Sequence, residues 1–294
     1  MKPARFEYFD PTSLGEALEL LKEHGDDAKV LAGGQSLMPL INMRLARPKV
    51  VIDINRVPGL DYISQTPDGG LAFGALTRLR SVEKSSLVQE MVPVLAAAMP
   101  SIGHVQIRNR GTVGGSISHA DPAAELPAMC LALDAEIVLS NTLEERTLKP
   151  EDFFISPLTT AIEPGELLTE IRLPARSEEW RWGFQEVCRR QGDFALVGCI
   201  SLIRLDGDEI CQDARITMFG AGGTALRIQQ AEEALVGRPI DPSVLQDVAR
   251  LVSEDLDPDS DIHASAAYRK EVGGVMARRS LEAAINRGNG GRKA

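Results

Sequence analysis

Aromatic side chains make up only 4% of this 294-residue chain. A core of any size must therefore be built mainly from Leu, Val, Ile and Ala. The total hydrophobic share of 44% suffices at this length for two domains or one large one. Cysteine is also sparse. Cys130, Cys188, Cys199 and Cys211 are scattered, and none forms a CxxC pair. Such spacing offers no zinc or iron–sulfur framework in this chain. It suits reduced, mostly buried thiols in a cytoplasmic protein. Positive charge is outnumbered, with 32 Lys and Arg against 42 Asp and Glu and a formal net charge of -10. Nucleic acid and anionic lipid repel such a chain, so neither is the expected partner. No apolar run reaches about 18 residues, so no membrane span is expected. The opening Met1–Glu7 segment has no apolar stretch behind its charges and does not read as a signal peptide. No repeat of fixed period is visible.

What is present reads first as short strands alternating with helices. Lys29–Leu31 and Val50–Asp53 have the apolar character of buried strands. Between Phe9 and Gly25 the spacing predicts a helix. Ser13 and Glu16 fit a capping box, Leu14, Ala17, Leu18 and Leu21 share a face, and Gly25 fits the C-cap. Leu71–Ala75 reads as a strand, with a helical stretch from Thr77 and another helix from Val92 to Met99. Alternation over Leu168–Leu173 predicts a strand that stops at Pro174. The short polar stretch Ala175–Glu179 is the expected domain boundary. Beyond it, strands at Phe184–Val187, Ala195–Leu205 and Ala214–Phe219 precede helices at Ile228–Val236, Val244–Ser253 and Ala264–Asn286. That order predicts a separate α+β domain, followed by a flexible tail over 288–294.

Two glycine-centred segments carry the functional signal. Ala32-Gly33-Gly34-Gln35-Ser36 follows the strand ending at Leu31. Glycines that adopt positive φ can turn successive N–H groups into one concavity. Ser36 could then cap a segment from Leu37 to Leu45, and a helix start favours a bound phosphate. A ligand-free strand-to-helix turn fits this segment as well. The second is Gly111-Thr112-Val113-Gly114-Gly115-Ser116-Ile117-Ser118, too small-sided for a core strand and suited to the close approach of a flat ligand. Together the two suggest a ligand with two phosphates.

Further residues extend the pattern into a resemblance. The first segment, the run Ile107-Arg108-Asn109-Arg110-Gly111-Thr112-Val113-Gly114-Gly115-Ser116 and the run His119-Ala120-Asp121-Pro122-Ala123-Ala124-Glu125-Leu126-Pro127 resemble the medium, FAD-binding subunit of molybdenum hydroxylases. Gly192-Asp193-Phe194-Ala195 and Ala264-Ser265-Ala266-Ala267-Tyr268-Arg269 resemble that family's C-terminal domain. The similarity runs over nearly the whole chain. It implies an α+β fold: an FAD-binding domain of the vanillyl-alcohol oxidase (PCMH) type over 1–176, in subdomains of about 1–56 and 57–176. A C-terminal α+β domain of the carbon monoxide dehydrogenase flavoprotein type would follow over 177–287. FAD, held noncovalently, would lie between the subdomains. Ala32, Gly33, Gly34, Gln35, Ser36 and Leu37 would form one side of its site. Thr112, Gly114, Gly115, Ser116 and Ser118 would form the other, the pyrophosphate lying on both. The resemblance further puts Glu125 at the adenosine end, Leu168 beside the adenine, and Phe194 and Ile102 near the isoalloxazine.

It also implies partners: a large subunit with molybdopterin and a small subunit with two [2Fe–2S] clusters, assembled as a heterotrimer doubled into a heterohexamer. Electrons would pass through the clusters to FAD and on to an external acceptor. This chain then needs no catalytic residue of its own and no metal. Gln35 stands where carbon monoxide enzymes typically have His, which speaks against carbon monoxide as substrate. Gln185 stands where animal xanthine enzymes have a lysine near the flavin, which weakens any inference of NAD as acceptor. A stand-alone flavin oxidase or reductase is the second reading, and it lacks a visible general base. A scaffold with degenerate loops is the third, and the intact glycines oppose it.

Other motifs are weaker. Gly220-Ala221-Gly222-Gly223-Thr224-Ala225 matches GxGxxA but lacks the following strand of a Rossmann unit, so a structural turn is expected. His104 and His119 have no nucleophile motif beside them. The acidic run Asp255–Asp261 lacks the glycine and closing glutamate of an EF-hand. Arg108 and Arg110 could neutralise phosphates, or face water or a partner.

Overall fold

The structure is a computed structural model that describes residues 2–176 and 179–289. Its first layer is a parallel three-stranded sheet. Val50–Asp53 lies in the middle, between Glu7–Phe9 and Ala28–Leu31. The helix Leu14–His24 covers it with Ala17, Leu18 and Leu21. Its capping is split. Ser13 Oγ accepts from Glu16 N at 3.2 Å, but the Glu16 carboxylate accepts from Thr12 N at 2.8 Å rather than from Ser13 N. Gly25 closes the helix at φ +47°.

The second unit is a five-stranded antiparallel sheet in the order Ile63–Gln65, Leu71–Gly74, Leu167–Leu173, Glu136–Ser140, Glu145–Leu148. Short helices between 79 and 132 pack on it around Phe73, Leu95, Met99, Ile117, Met129 and Leu139. The expected helical start at Thr77 is displaced to Leu79. Thr77 Oγ1 instead donates to Tyr62 O, and Arg78 bridges to Thr112.

The third unit is an antiparallel sheet of Trp180–Cys188, Ala195–Leu205, Cys211–Phe219 and Leu226–Arg227. Side chains on a strand alternate between faces, and here both faces are buried. Ile200 and Leu202 join the second unit's core, while Val197, Cys199 and Ile203 join the core under the helices Pro242–Asp255 and Ala266–Asn289. Two-sided burial is why Ala195–Leu205 reads as a continuous apolar run. The expected helix at Ile228–Val236 shortens to Gln229–Glu233. Of the expected flexible tail, 288 and 289 belong to the last helix, and 290–294 lie outside the described residues, as do 177 and 178 in the boundary stretch.

Candidate functional site

The strand Ala28–Leu31 delivers Ala32–Ser36 at the carboxyl end of the parallel sheet, where Leu31 pairs with Asp53. Of the four glycines singled out, only Gly34 has a positive φ, +72°. Its carbonyl accepts from Met38 N at 3.2 Å and so begins the helix Leu37–Asn42. Ser36 occupies the N-cap position, but its hydroxyl makes no capping bond. Among the described residues, the N–H groups of Gly33, Gly34, Gln35 and Ser36 find no backbone acceptor. A row of free donors on a turn is what anionic oxygens require. The Gln35 amide folds back to donate to Gly33 O at 3.1 Å.

The second segment is a helix rather than a loop. Val113–His119 starts at Thr112, whose hydroxyl accepts from Gly115 N at 3.1 Å. Val113 N and Gly114 N donate to Thr77 O and Ala75 O, both at 2.9 Å. The N–H groups of Val113, Gly114 and Gly115 are thus consumed by the protein. Gly115 is exposed, and Ser116 and Ser118 are half-buried on the same short helix.

The two segments meet. A Cβ on Gly33 would stand 2.5 Å from Arg110 O and 2.8 Å from Gly111 Cα. On Gly115 it would face Ala32 Cβ at 3.9 Å. Two residues not singled out from the sequence join them. Asn55 Nδ2 donates to Ala32 O at 2.7 Å, Arg78 Nη2 donates to Asn55 Oδ1 at 2.6 Å, and Arg78 Nη1 donates to Arg110 O. Neither lies in a motif. The available signal was a polar residue just past a buried strand, in Asp53-Ile54-Asn55.

Glu125 opens the wholly buried helix Glu125–Ala132 and is 3% exposed. Burial pushes its carboxyl up to about 8, and the charges of Glu186 and Asp121 push the same way. At neutral pH it is therefore the protonated acid, able to donate as well as accept. Burial also raises the Glu186 carboxyl, against a hydrogen bond from Ser101, and Glu186 Oε2 is buried without a partner. Gln185 pairs with Cys199 and so faces the C-terminal helices, while Glu186 faces Glu125. Residue 185 is thus turned away from the face that carries Glu125.

Phe194 is 56% exposed in the turn after Trp180–Cys188. That turn packs on Gly103–His104, where a Cβ on Gly192 would stand 2.7 Å from His104 Nδ1. Ile102, just before, is buried in the core. Leu168 is buried in the same core. Its link to the glycine segments runs through Ala75, whose N donates to Thr169 O while its carbonyl takes Gly114 N. The small apolar cavity lined by Phe73, Val82, Leu95, Ile117 and Met129 has no polar group and cannot take a phosphate-bearing ligand.

Other candidates resolve. Arg108 neither neutralises a ligand nor faces water: it is buried, bonded to Glu83 at 2.8 Å and to the Ile102 and Gly103 carbonyls. Arg110 is exposed. The GxGxxA run is the turn between two antiparallel strands, with Gly220 N donating to Pro122 O at 2.9 Å. Asp261 accepts from His263 N and Ala264 N and pairs with Arg269. No acidic or histidine cluster fit for a metal occurs among the described residues. His104 is exposed and His119 half-buried. Burial first, and then the charges of Glu186, Asp193 and Glu125, raise the Cys188 thiol, which disfavours the nucleophilic thiolate. Cys130, Cys199 and Cys211 are buried free thiols. No helix among the described residues is long and apolar enough to cross a membrane.

The chain is thus a mixed helix-and-sheet unit with unused backbone donors at a glycine junction, followed by a second sheet unit under long helices. Comparison with known proteins narrows that description. Residues 4–176 match the FAD binding domain in molybdopterin dehydrogenase, and residues 182–284 match the CO dehydrogenase flavoprotein C-terminal domain. The chain is 42% identical to 6-hydroxypseudooxynicotine dehydrogenase complex subunit alpha of Paenarthrobacter nicotinovorans, covering 98% of this chain and 97% of that one. Caffeine dehydrogenase subunit beta of Pseudomonas sp. (strain CBB1) is 41% identical over 98% and 97% of the two chains. A chain in the structure of carbon monoxide dehydrogenase from Hydrogenophaga pseudoflava superposes with a TM-score of 0.94 at 38% identity, covering 98% of this chain and 99% of that one. This chain belongs to the family of FAD-binding subunits of molybdenum-containing oxidoreductases.

Proposed function

We propose that this chain holds FAD noncovalently across its two glycine segments and relays electrons within a molybdenum hydroxylase. In this reading they arrive from [2Fe–2S] clusters on a small subunit and leave for an external acceptor. The observation that carries the reading is the junction of Gly33 with Arg110 and Gly111, which sets the free N–H row of Gly33–Ser36 next to Gly115. The bound isoalloxazine supplies the electron-accepting chemistry. The chain's own residues bind and orient it. Backbone donors at Ala32–Leu37 receive the pyrophosphate, the Ser116 and Ser118 hydroxyls face it from the second segment, and Thr112, Gly114 and Gly115 shape that segment for close approach. Glu125 hydrogen-bonds the cofactor as a neutral acid. Leu168 lies beside the adenine, and Phe194 and Ile102 lie on the isoalloxazine side. No residue here attacks a substrate.

The division is into a PCMH-type domain over 1–176, in subdomains of about 1–56 and 57–176, and a C-terminal domain over 177–287. The separate cores under the parallel sheet and the five-stranded sheet support the subdomains. The partners are a molybdopterin-binding large subunit and an iron–sulfur small subunit, in a heterotrimer doubled to a heterohexamer in the cytoplasm.

Purification from cells making all three subunits tests this. A yellow complex carrying molybdenum and iron, with a native mass of two copies of each chain, is the expected result. A colourless chain, or a solitary yellow protein fully active alone, overturns it.

A further inference from the structure

Charge is oddly distributed at the junction of the glycine segments. This chain is acidic, yet the Arg78 guanidinium sits here on the Arg110 carbonyl and feels the positive charge of Arg110. Arg108, by contrast, is paired with Glu83. Among the described residues, no salt bridge reaches Arg78 or Arg110. Arg78 is half-buried, and its acidity is raised by burial first and by the charge of Arg110 next, with only Asp61 and Asp53 acting the other way. Asp53 and Asp61 offset this only in part, since neither forms an ion pair with Arg78, and like charges so placed cost stability unless a further anion joins them.

Arg78 is also fixed in place. Its fork donates to Asn55 Oδ1 at 2.6 Å and to Arg110 O, while Asn55 donates to Ala32 O at 2.7 Å. Asn55 is held in turn by Asp53 Oδ1, and Asp53 by Tyr8 OH at 2.7 Å. The network therefore grips the carbonyl just before Gly33 and the carbonyl just before Gly111. Those are the two places where the segments touch. A planar fork suits this double grip, which a single ammonium cannot reproduce.

We infer that Arg78 is a positioning residue for the cofactor: with Asn55 it locks the two glycine segments in register, and with Arg110 it supplies the positive charge a diphosphate needs. The inference rests on the FAD reading above and adds to it the source of charge and the lock. Backbone N–H groups orient the oxygens, and the two arginines offset their charge.

The test is FAD binding to the purified chain, followed by flavin fluorescence across a series of salt concentrations. Wild-type binding comes first. If it is absent, the FAD reading fails and not this inference. Given wild-type binding, Arg78→Gln should weaken FAD about ten- to a hundred-fold, as for loss of hydrogen bonds to a charged group. Its affinity should also depend less on salt, because a screened charge has gone. Arg110→Gln, on an exposed side chain, should flatten the salt dependence without lowering the apo unfolding temperature, because it removes a like charge and no ion pair. Arg78→Lys should keep the wild-type salt dependence but not the full affinity, since the charge stays and the fork is lost. Asn55→Ala should weaken FAD, and its effect should be less than additive with Arg78→Gln because the two share one hydrogen bond. Affinities within twofold of wild type for Arg78→Gln and Arg110→Gln, or an unchanged salt dependence in both, would overturn the inference.

Discussion

Gly114 lies so close to Ala75 that an added Cβ would stand 2.7 Å from Ala75 Cβ and 2.8 Å from Ala75 O. The same Ala75 carbonyl accepts from Gly114 N at 2.9 Å. What makes this position glycine is therefore contact between the Val113–His119 helix and the segment after the Leu71–Gly74 strand. Gly114→Ala should push the helix off that segment and break the hydrogen bond. Overpacking of this kind costs about 1–3 kcal/mol, and a thermal midpoint lower by roughly 5 °C is expected for the apo chain. An unchanged midpoint would show that the helix start can shift without loss.

How much of this was legible in the sequence follows the range of the interactions. The helix Leu14–His24 was readable because cap, face and stop all lie within thirteen residues. Ala195–Leu205 was readable because burial on both faces leaves an unbroken apolar run. Thr77 misled, since its hydroxyl and backbone are drawn to Tyr62 and Val113, distant in sequence. The glycine segments were visible as composition, but their reasons were not. Gly33 and Gly114 have no room for a Cβ because of Arg110 and Ala75, whereas Gly34 needs its positive φ. Asn55 left only the faint signal of a polar residue past a buried strand and Arg78 none, because the carbonyls they hold, Ala32 O and Arg110 O, are groups every residue has. Arg108 was misjudged because Glu83, its partner, lies on another helix 25 residues earlier in the chain, a distance that no local motif spans.

Flavin attachment should be noncovalent. Cys130 is buried in the core, Cys188 is held as a neutral thiol, and neither glycine segment contains a cysteine. Acid precipitation of the yellow protein should release all of the colour to the supernatant. Flavin retained on the washed, denatured chain would contradict this.

Glu125 should make the apo chain pH-sensitive in one direction. Its folded pKa is raised to about 8 from an ordinary 4.5, so between those values the folded state binds more protons than the unfolded one. Stability then falls as pH rises through that window. The thermal midpoint should drop between about pH 5 and pH 8, a loss of up to a few kcal/mol on the linkage relation. Glu125→Gln, which mimics the neutral acid, should flatten that fall and bind FAD nearly as wild type. Glu125→Ala should weaken FAD about two- to tenfold, the worth of a neutral hydrogen bond. A wild-type midpoint that stays level or climbs between pH 5 and 8 would remove Glu125 as its cause.

The sharpest contrast lies between Gly34 and Gly115 on one side and Gly114 on the other. At Gly34 a side chain meets φ +72° together with Leu31 Cδ1 at 3.1 Å and Met38 Cγ at 3.3 Å, both side-chain rather than backbone atoms. The strain of a left-handed backbone is about 1–2 kcal/mol, which the separate core around Leu18, Leu21 and Ile52 can absorb. At exposed Gly115 the Cβ meets Thr112 Oγ1 at 2.7 Å, and the loss of that cap costs about 1 kcal/mol. Both penalties leave the fold intact, but both fall where bound phosphate oxygens would lie against the backbone. Gly34→Val and Gly115→Val should therefore be soluble chains with wild-type far-UV circular dichroism and little flavin absorbance. In the assembled complex, substrate should still reduce the partner's iron–sulfur clusters, while electron delivery to the external acceptor should fail. Full flavin occupancy at wild-type affinity in both variants would remove the two segments from the cofactor site, whatever the fold comparison shows.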